Sequence, residues 1–439
     1  MTNSNDEYKF VDALATAKFF IYIDQRDKAN QVLDLMLPFC ETIEQLDAIG
    51  YVYTKNRNFQ RGLEIATKQL PNAQTPEQLW DMRVNLIRGY LNTNQPNQAL
   101  PYIKLLKSVN PLDQPNLMDE AYALFLLNRK NEAEVILRTI LENPESEDIL
   151  IRGTFNLGSY EIRNGNFKTG LKNFLLSGRK LDIWKTFTLK NRYWEGGAYP
   201  GSTLLMMADG GIGDEIVNIR FQKHIKELGM NPVWYTTRMD LADMFIRCGF
   251  NVITSLDDVQ FDWMWTYGMS VPAYLNVEET DLWYGPYISP TIKRTTSNTK
   301  KKIGIKISGN PKYDQDLNRS LPLEPLLQAI PEDYEIYSFH LEDKIEHPRV
   351  INWITDDITW DDTLNKIEEM DCIVSSCTSL IHAAGAMGKD AVVITPILKY
   401  YLWAKEGVTS PWYGDNLITL HQQEHDDWSH PLNELKELL

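Results

Sequence analysis

Cysteine is scarce in this chain. Its four residues, Cys40, Cys248, Cys372 and Cys377, are scattered, and none stands in a CxxC pair. Neither a zinc site nor a disulfide framework is expected. There is also no run of about 18 apolar residues, so no membrane span is expected. The first ten residues, MTNSNDEYKF, are polar and acidic, unlike a signal peptide. Together these shortages point to a reducing, cytoplasmic setting. Positive charge is short too: 44 Lys and Arg stand against 60 Asp and Glu, for a net charge of −16. Phosphate backbones are bound by Lys and Arg, so wholesale binding to nucleic acid or anionic membrane is disfavoured. A local basic patch remains around Lys293, Arg294 and Lys300 to Lys302.

What is present is ordinary for a globular protein, with 43% hydrophobic residues over 439 positions. That length accommodates two or three domains. Up to about residue 188 the pattern is helical and repeats. Ala29, Gly62, Ala99, Ala133 and Gly170 each sit early in a second helix, spaced by 33, 37, 34 and 37 residues. Twelve residues earlier comes another small residue, Ala17, Gly50, Ala121 or Gly158; the third unit has Ile87 there, with Gly89 nearby. Small residues at two fixed points let paired helices cross closely. A helix–turn–helix period near 34 resembles tetratricopeptide repeats, and predicts an α-solenoid over residues 1–188.

Beyond this the chain changes character. Strands and helices alternate, which predicts parallel sheets with crossover helices. A polar, basic stretch over 289–302 reads as a linker. It separates an α/β half at 189–300 from a second at 301–439. Open α/β sheets bind ligands beyond the carboxyl ends of their strands.

Two strand ends stand out. Residues 204–214 read LLMMADGGIGD: a buried strand, then Gly210, Gly211 and Gly213, then a helix opened by Asp214. Glycines admit a ligand close to backbone N–H groups, and a helix start favours anions. The spacing is not that of a dinucleotide fingerprint. A plain tight turn with an N-capping acid fits the same residues. Residues 374–388 read VSSCTSLIHAAGAMG, a strand ending in hydroxyl residues before a helix. That suits a diphosphate, and it equally suits simple Ser/Thr capping. The loop 308–320, SGNPKYDQDLNRS, offers Lys312 and Arg319 as phosphate partners. Its Asp314-Gln315-Asp316 is formally a DxD, read here as a solvated loop.

Together these residues resemble a family. They are similar to bacterial and phage proteins that join tetratricopeptide repeats to a GT-B glycosyltransferase module of the heptosyltransferase-like type. The resemblance rests on six pieces in order: Tyr193-Trp194-Glu195-Gly196, Gly211-Ile212-Gly213-Asp214, Ser270-Val271-Pro272, Gly309-Asn310-Pro311 with Asn318-Arg319-Ser320, Cys377-Thr378-Ser379 with His382 through Gly388, and Ser410-Pro411-Trp412-Tyr413. The chain departs from the pattern at Cys377, where the family usually has an acid, at Asp209-Gly210 in place of Glu-Gln, and at Val271 in place of Leu.

The resemblance implies a fold class of α plus α/β: an α-solenoid followed by two Rossmann-like halves. It implies a transferase moving a sugar from a nucleotide-sugar to a hydroxyl acceptor, inverting, with no metal and no bound cofactor. Asp214 would be the general base. Ser308, Asn310, Lys312, Arg319, Thr378, Ser379, His382 and Trp412 would hold the donor, with Tyr401 and Trp403 as further aromatic neighbours. The repeat groove would present a polypeptide acceptor. A lipid-linked glycan, a hydroxymethylated DNA base and a non-catalytic scaffold are the competing readings. The acidity counts against DNA, although a basic stripe along one face would reopen that reading.

Overall fold

The computed structural model describes residues 4–175, 190–294, 300–310, 316–341, 344–355, 358–403 and 409–439. The chain divides into two compact units, Met1–Ile149 and Leu150–Leu439.

The first unit is a run of helices: α1 (Ser4–Tyr22), α2 (Arg26–Met36), α3 (Ile43–Lys55), α4 (Phe59–Gln69), α5 (Pro76–Asn92), α6 (Pro96–Val109), α7 (Gln114–Leu126) and α8 (Lys130–Glu142). Each pair forms a hairpin. The first helix of a pair also packs on the first helix of the next, α1 on α3, α3 on α5 and α5 on α7. This is the helical repeat that the period predicts.

The hairpin turns share one device. Asp24, Arg57, Asn94 and Asn128 all have positive φ. Each following N–H reaches back five residues, as in Asn58 N to Tyr53 O at 2.9 Å and Arg129 N to Leu124 O at 2.8 Å. A left-handed residue with this long back-bond closes a helix end. The small residues come five positions later, where the second helix crosses the first. A Cβ on Gly62 would stand 3.1 Å from Gly50 O. In the third unit Gly89 instead serves the contact with the preceding unit, since a Cβ there would lie 2.8 Å from Leu63 Cβ on α4. Thr42 and Thr75 start α3 and α5 with full capping boxes.

The second unit begins within helix α9 (Glu147–Arg163) and continues with α10 (Phe167–Asn173). The last hairpin therefore packs with the α/β part. Gly158 and Gly170 meet at its crossing, and Phe167 and Phe174 enter the same core as Trp194, Leu204 and Trp412.

The first sheet holds β1 (Thr203–Met207), β2 (Asn231–Tyr235), β3 (Val252–Ile253) and β4 (Met264–Tyr267), all parallel, in the order β3-β2-β1-β4. After β1 come α11 (Ile212–Asn218) and α12 (Gln222–Glu227); α13 (Met239–Arg247) links β2 to β3, and α14 (Val271–Tyr274) follows β4. The helix expected from Asp214 starts two residues earlier, at Ile212. The Tyr193-Trp194 lead-in pairs alongside β4, with Trp194 N donating to Trp265 O at 2.8 Å.

The second sheet contains β5 (Lys302–Lys306), β6 (Glu335–Ser338), β7 (Val350–Asn352), β8 (Cys372–Ser375), β9 (Ala391–Thr395), β10 (Thr409–Ser410) and β11 (Gly414–His421). Its order is β10-β11-β9-β8-β5-β6-β7, parallel except for the β10–β11 pair. Short α15 (Asp316–Arg319) and α16 (Leu323–Ala329) precede β6, α17 (Trp360–Glu369) precedes β8, α18 (Ser379–Met387) joins β8 to β9, and α19 (Ser429–Leu438) closes the chain. The pattern predicts β5, β6, β8 and β9, but not β7, β10 or β11. The architecture is thus helical repeats followed by two Rossmann-like α/β halves.

In both sheets the chain reverses direction across a central strand. β1 is flanked by β2 and β4, and β5 by β6 and β8. Crevices open beyond the strand ends at such switch points.

Candidate active site

One cavity of about 720 Å³ lies where the strand ends of the two halves face each other. That is within the usual size of a small-molecule site. From the first half its wall takes Gly211, Gly213, Asp214 and Arg238; from the second it takes Ser308, Asn310, Arg319, Thr378, Ser379 and His382. All but Arg238 are sequence candidates, and they meet because they follow strands at the crevice. Gly210 is not on the wall, and a Cβ there would collide with the Asp214 carboxylate. Lys312, Asp314 and Gln315 lie outside the described residues.

Asp214 is the third residue of α11, and its position is tightly held. Oδ2 accepts the N–H of Gly211 at 2.8 Å, and Oδ1 accepts the hydroxyl of Tyr400 at 2.8 Å. Burial raises its pKa above the ordinary carboxylate value, opposed by those two hydrogen bonds. Neighbouring Glu215 is buried. It accepts from Trp234 Nε1 at 3.0 Å and pairs with Arg238. Asp209, just before the glycines, accepts the N–H of Met269 at 3.1 Å, and so ties the glycine turn to the Ser270-Val271-Pro272 segment. Burial pushes its pKa up to about 8.

Across the cavity, Thr378 is the N-cap of α18 and leaves that end uncapped by its side chain, which instead shares a hydrogen bond with Ser375 Oγ at 3.0 Å. The first N–H groups of α18 are therefore available to an anion. Arg319 is not a simple phosphate finger. Its Nε donates to Asp316 Oδ1 at 2.8 Å, and Nη1 donates to Cys377 O. Asp316 also accepts the N–H of Gly309 at 3.1 Å. Arg319 thus clamps the 308–310 loop to the start of α18. Asp316, the described acid of the DxD, is an internal partner of Arg319 rather than a solvated loop charge. Cys377 Sγ accepts from Trp403 Nε1 at 2.9 Å.

His382 lies one turn into α18. Its Nδ1 shares a hydrogen bond with Tyr413 Oη at 2.8 Å, and its ring stacks on Trp403 at 5.2 Å. Burial, with help from Arg220 and Arg319, pushes its pKa down to about 3, so the ring is neutral at pH 7.

Trp412, expected at the donor, is not on the wall. It is 1% exposed and packs among Phe167, Phe221 and Tyr401. Tyr401 is likewise a core residue, whereas Trp403 is on the wall. The reason is Arg220, which sequence patterns did not single out. It is 0% exposed. It donates to Leu282 O and Tyr287 Oη at 2.8 and 2.7 Å and to Trp412 O, and it lies over the rings of Tyr287 and Tyr413. A buried cation ringed by carbonyls and aromatic faces joins the two halves and draws Trp412 into the core. Lys306, His340, Thr395 and Tyr400 are also on the wall without having been anticipated. A strand ending in Lys or Thr carries no local mark of a site.

The sequence matches no protein-family model and no curated protein. Among solved structures, this chain is similar to a point mutant of the O-GlcNAc transferase of Thermobaculum terrenum, at 9% identity over 90% of this chain and 89% of that one, with a TM-score of 0.37. It is also similar to a TPR protein of Thermus thermophilus, at 16% identity over 40% and 93% of the two chains, with a TM-score of 0.33. A third is YrrB, a TPR protein with an unusual peptide-binding site, at 17% identity over 38% and 91%, with a TM-score of 0.28.

Proposed function

We propose that this chain is a glycosyltransferase that moves a sugar from a nucleotide-sugar to a hydroxyl acceptor, with inversion and without a metal. The observation that carries this reading is that Asp214 shares one cavity with the open N-terminus of α18. One wall offers a base and the other an anion cradle.

The chemistry follows from that pairing. The acceptor oxygen attacks the anomeric carbon, and its proton passes to the Asp214 carboxylate as the new C–O bond forms. The bond from the anomeric carbon to the phosphate oxygen breaks, and its electron pair leaves with the nucleoside diphosphate. Attack opposite the leaving group inverts the centre. N–H groups at Thr378 and Ser379 stabilise the growing phosphate charge, in a loop that Arg319 holds in place. The repeats supply the surface for the acceptor, a polypeptide in this reading.

The test is thermal stability with UDP, GDP, ADP, dTDP and CMP, followed by donor-dependent transfer. A nucleotide that binds only the folded protein raises its melting temperature with concentration. Transfer should then be lost in Asp214→Asn. No shift with any nucleotide at millimolar concentration, or transfer that survives Asp214→Asn, would overturn the reading.

A further inference from the structure

The order of strands gives the cavity wall a direction. β9, β8, β5 and β6 are neighbours in that order, about 4.8 Å apart. The chain after β9 carries Tyr400, which holds Asp214. Thr378 and Ser379 follow β8, Lys306 ends β5, and His340 follows β6. A donor with its diphosphate at Thr378 and Ser379 and its sugar toward Asp214 therefore extends its nucleoside toward His340.

His340 has a defined hydrogen-bonding state. Its Nε2 accepts the N–H of Ile307 at 2.9 Å, so that nitrogen carries no proton. Burial, with Lys306 nearby, pushes its pKa down to about 4, so the ring is neutral at pH 7. The single ring proton then sits on Nδ1. Among the described residues Nδ1 has no partner, and His340 is on the cavity wall. The neighbouring Lys306 ammonium donates to Phe339 O at 3.0 Å and is a donor as well. This end of the cavity thus offers the His340 Nδ1–H to a ligand, beside the apolar side chain of Leu341.

We propose that His340 is the base-reading residue of the donor site, and that the donor is a diphosphate of a keto-base nucleoside: uridine, thymidine or guanosine. Such bases present a carbonyl oxygen where cytidine and adenosine carry an amino group. An amino group there would face Nδ1–H, donor against donor, and leave both unpaired. The inference rests on the transferase reading above.

The test is titration calorimetry of UDP, GDP, CDP, ADP and inorganic pyrophosphate against the full chain, His340→Phe and His340→Asn. In the wild type, UDP or GDP should bind at least tenfold tighter than CDP and ADP. His340→Phe should erase that preference while pyrophosphate affinity holds. His340→Asn, whose carbonyl can take the Ile307 N–H while its amide donates, should keep part of it. If His340→Phe does not fold, wild-type selectivity and His340→Asn decide the matter. CDP or ADP binding as tightly as UDP and GDP, or a preference untouched by both substitutions, overturns the assignment of His340 alone. Failure of every nucleotide to bind a cooperatively melting wild type overturns the transferase reading, and this inference with it.

Discussion

Tyr400 and Asp214 belong to opposite halves of the α/β module, 186 residues apart in sequence, yet the tyrosine hydroxyl donates to Asp214 Oδ1 at 2.8 Å. That hydrogen bond favours the ionised carboxylate, while burial opposes it. Removing it in Tyr400→Phe should raise the Asp214 pKa further. Because the base works only when deprotonated, the acid limb of the pH–rate profile should move to higher pH. The rate on the alkaline plateau should be largely kept. A plateau loss with an unmoved limb would show that Tyr400 acts on the fold and not on the base.

Asp209 leads to a pH effect on stability. Its folded-state pKa is pushed up to about 8, against 3.8 for the free side chain. Between these values the folded protein holds a proton that the unfolded chain has released. The stability tied to that proton is complete below about pH 4 and is lost as pH rises through about 8. Asp209→Asn keeps an acceptor for the Met269 N–H and has nothing to titrate. Its melting temperature should fall less than the wild type's between pH 6 and pH 8.5. Parallel curves for the two proteins would exclude Asp209 as the titrating group.

Arg220 should be a structural keystone despite having no carboxylate partner among the described residues. Arg220→Met fills similar space but orphans the acceptors at Leu282, Trp412 and Tyr287. Orphaned buried acceptors cost about 1–3 kcal/mol each, so a loss of at least about 3 kcal/mol is expected. Urea unfolding measures it, and a change under about 1 kcal/mol would mean those groups find other partners.

Gly213 faces His382 across the halves. A Cβ at Gly213 would stand 2.5 Å from His382 Cδ2, and Tyr413 and Trp403 hold that ring on its other sides. Gly213→Ala should therefore destabilise by about 1–3 kcal/mol through overpacking. It should also cut activity by displacing Asp214 next to it. Adding His382→Ala should recover part of the stability, and additive losses in the double mutant would show that the two residues do not touch.

Several features were legible from local pattern. The repeats were readable because small residues recur where helices cross; the left-handed turns five residues before them, with the same spacing, came only with the structure. Strands β5, β8 and β9 were readable because their central residues are buried and apolar, as at Ile303 and Ile305, Ile373 and Val374, and Ala391 to Ile394. β7 and β11 were not, since each has polar positions facing outward and takes its place only by pairing with β6 or β9. The glycine turn at residues 210–214 and the hydroxyl-rich strand end before α18 stood out by composition, and in the structure Gly210 and Gly213 leave room for the Asp214 carboxylate and the His382 ring.

Sequence alone determined the kinds of element and their order: helical repeats, then two α/β halves with a carboxylate after one strand and hydroxyls after another. Periodicity and turn chemistry are local, so they survive without a partner. Tertiary structure alone decided which side chains share a wall. It brought Tyr400 to Asp214, joined Arg319 to Asp316 and Cys377, turned Trp412 inward onto Arg220, and set His340 Nε2 on the Ile307 N–H. Apart from Arg319 with Asp316, three residues apart in one short helix, these contacts join residues that are distant in sequence or on neighbouring strands. Their geometry depends on strand order and on burial, and no short window of residues encodes either.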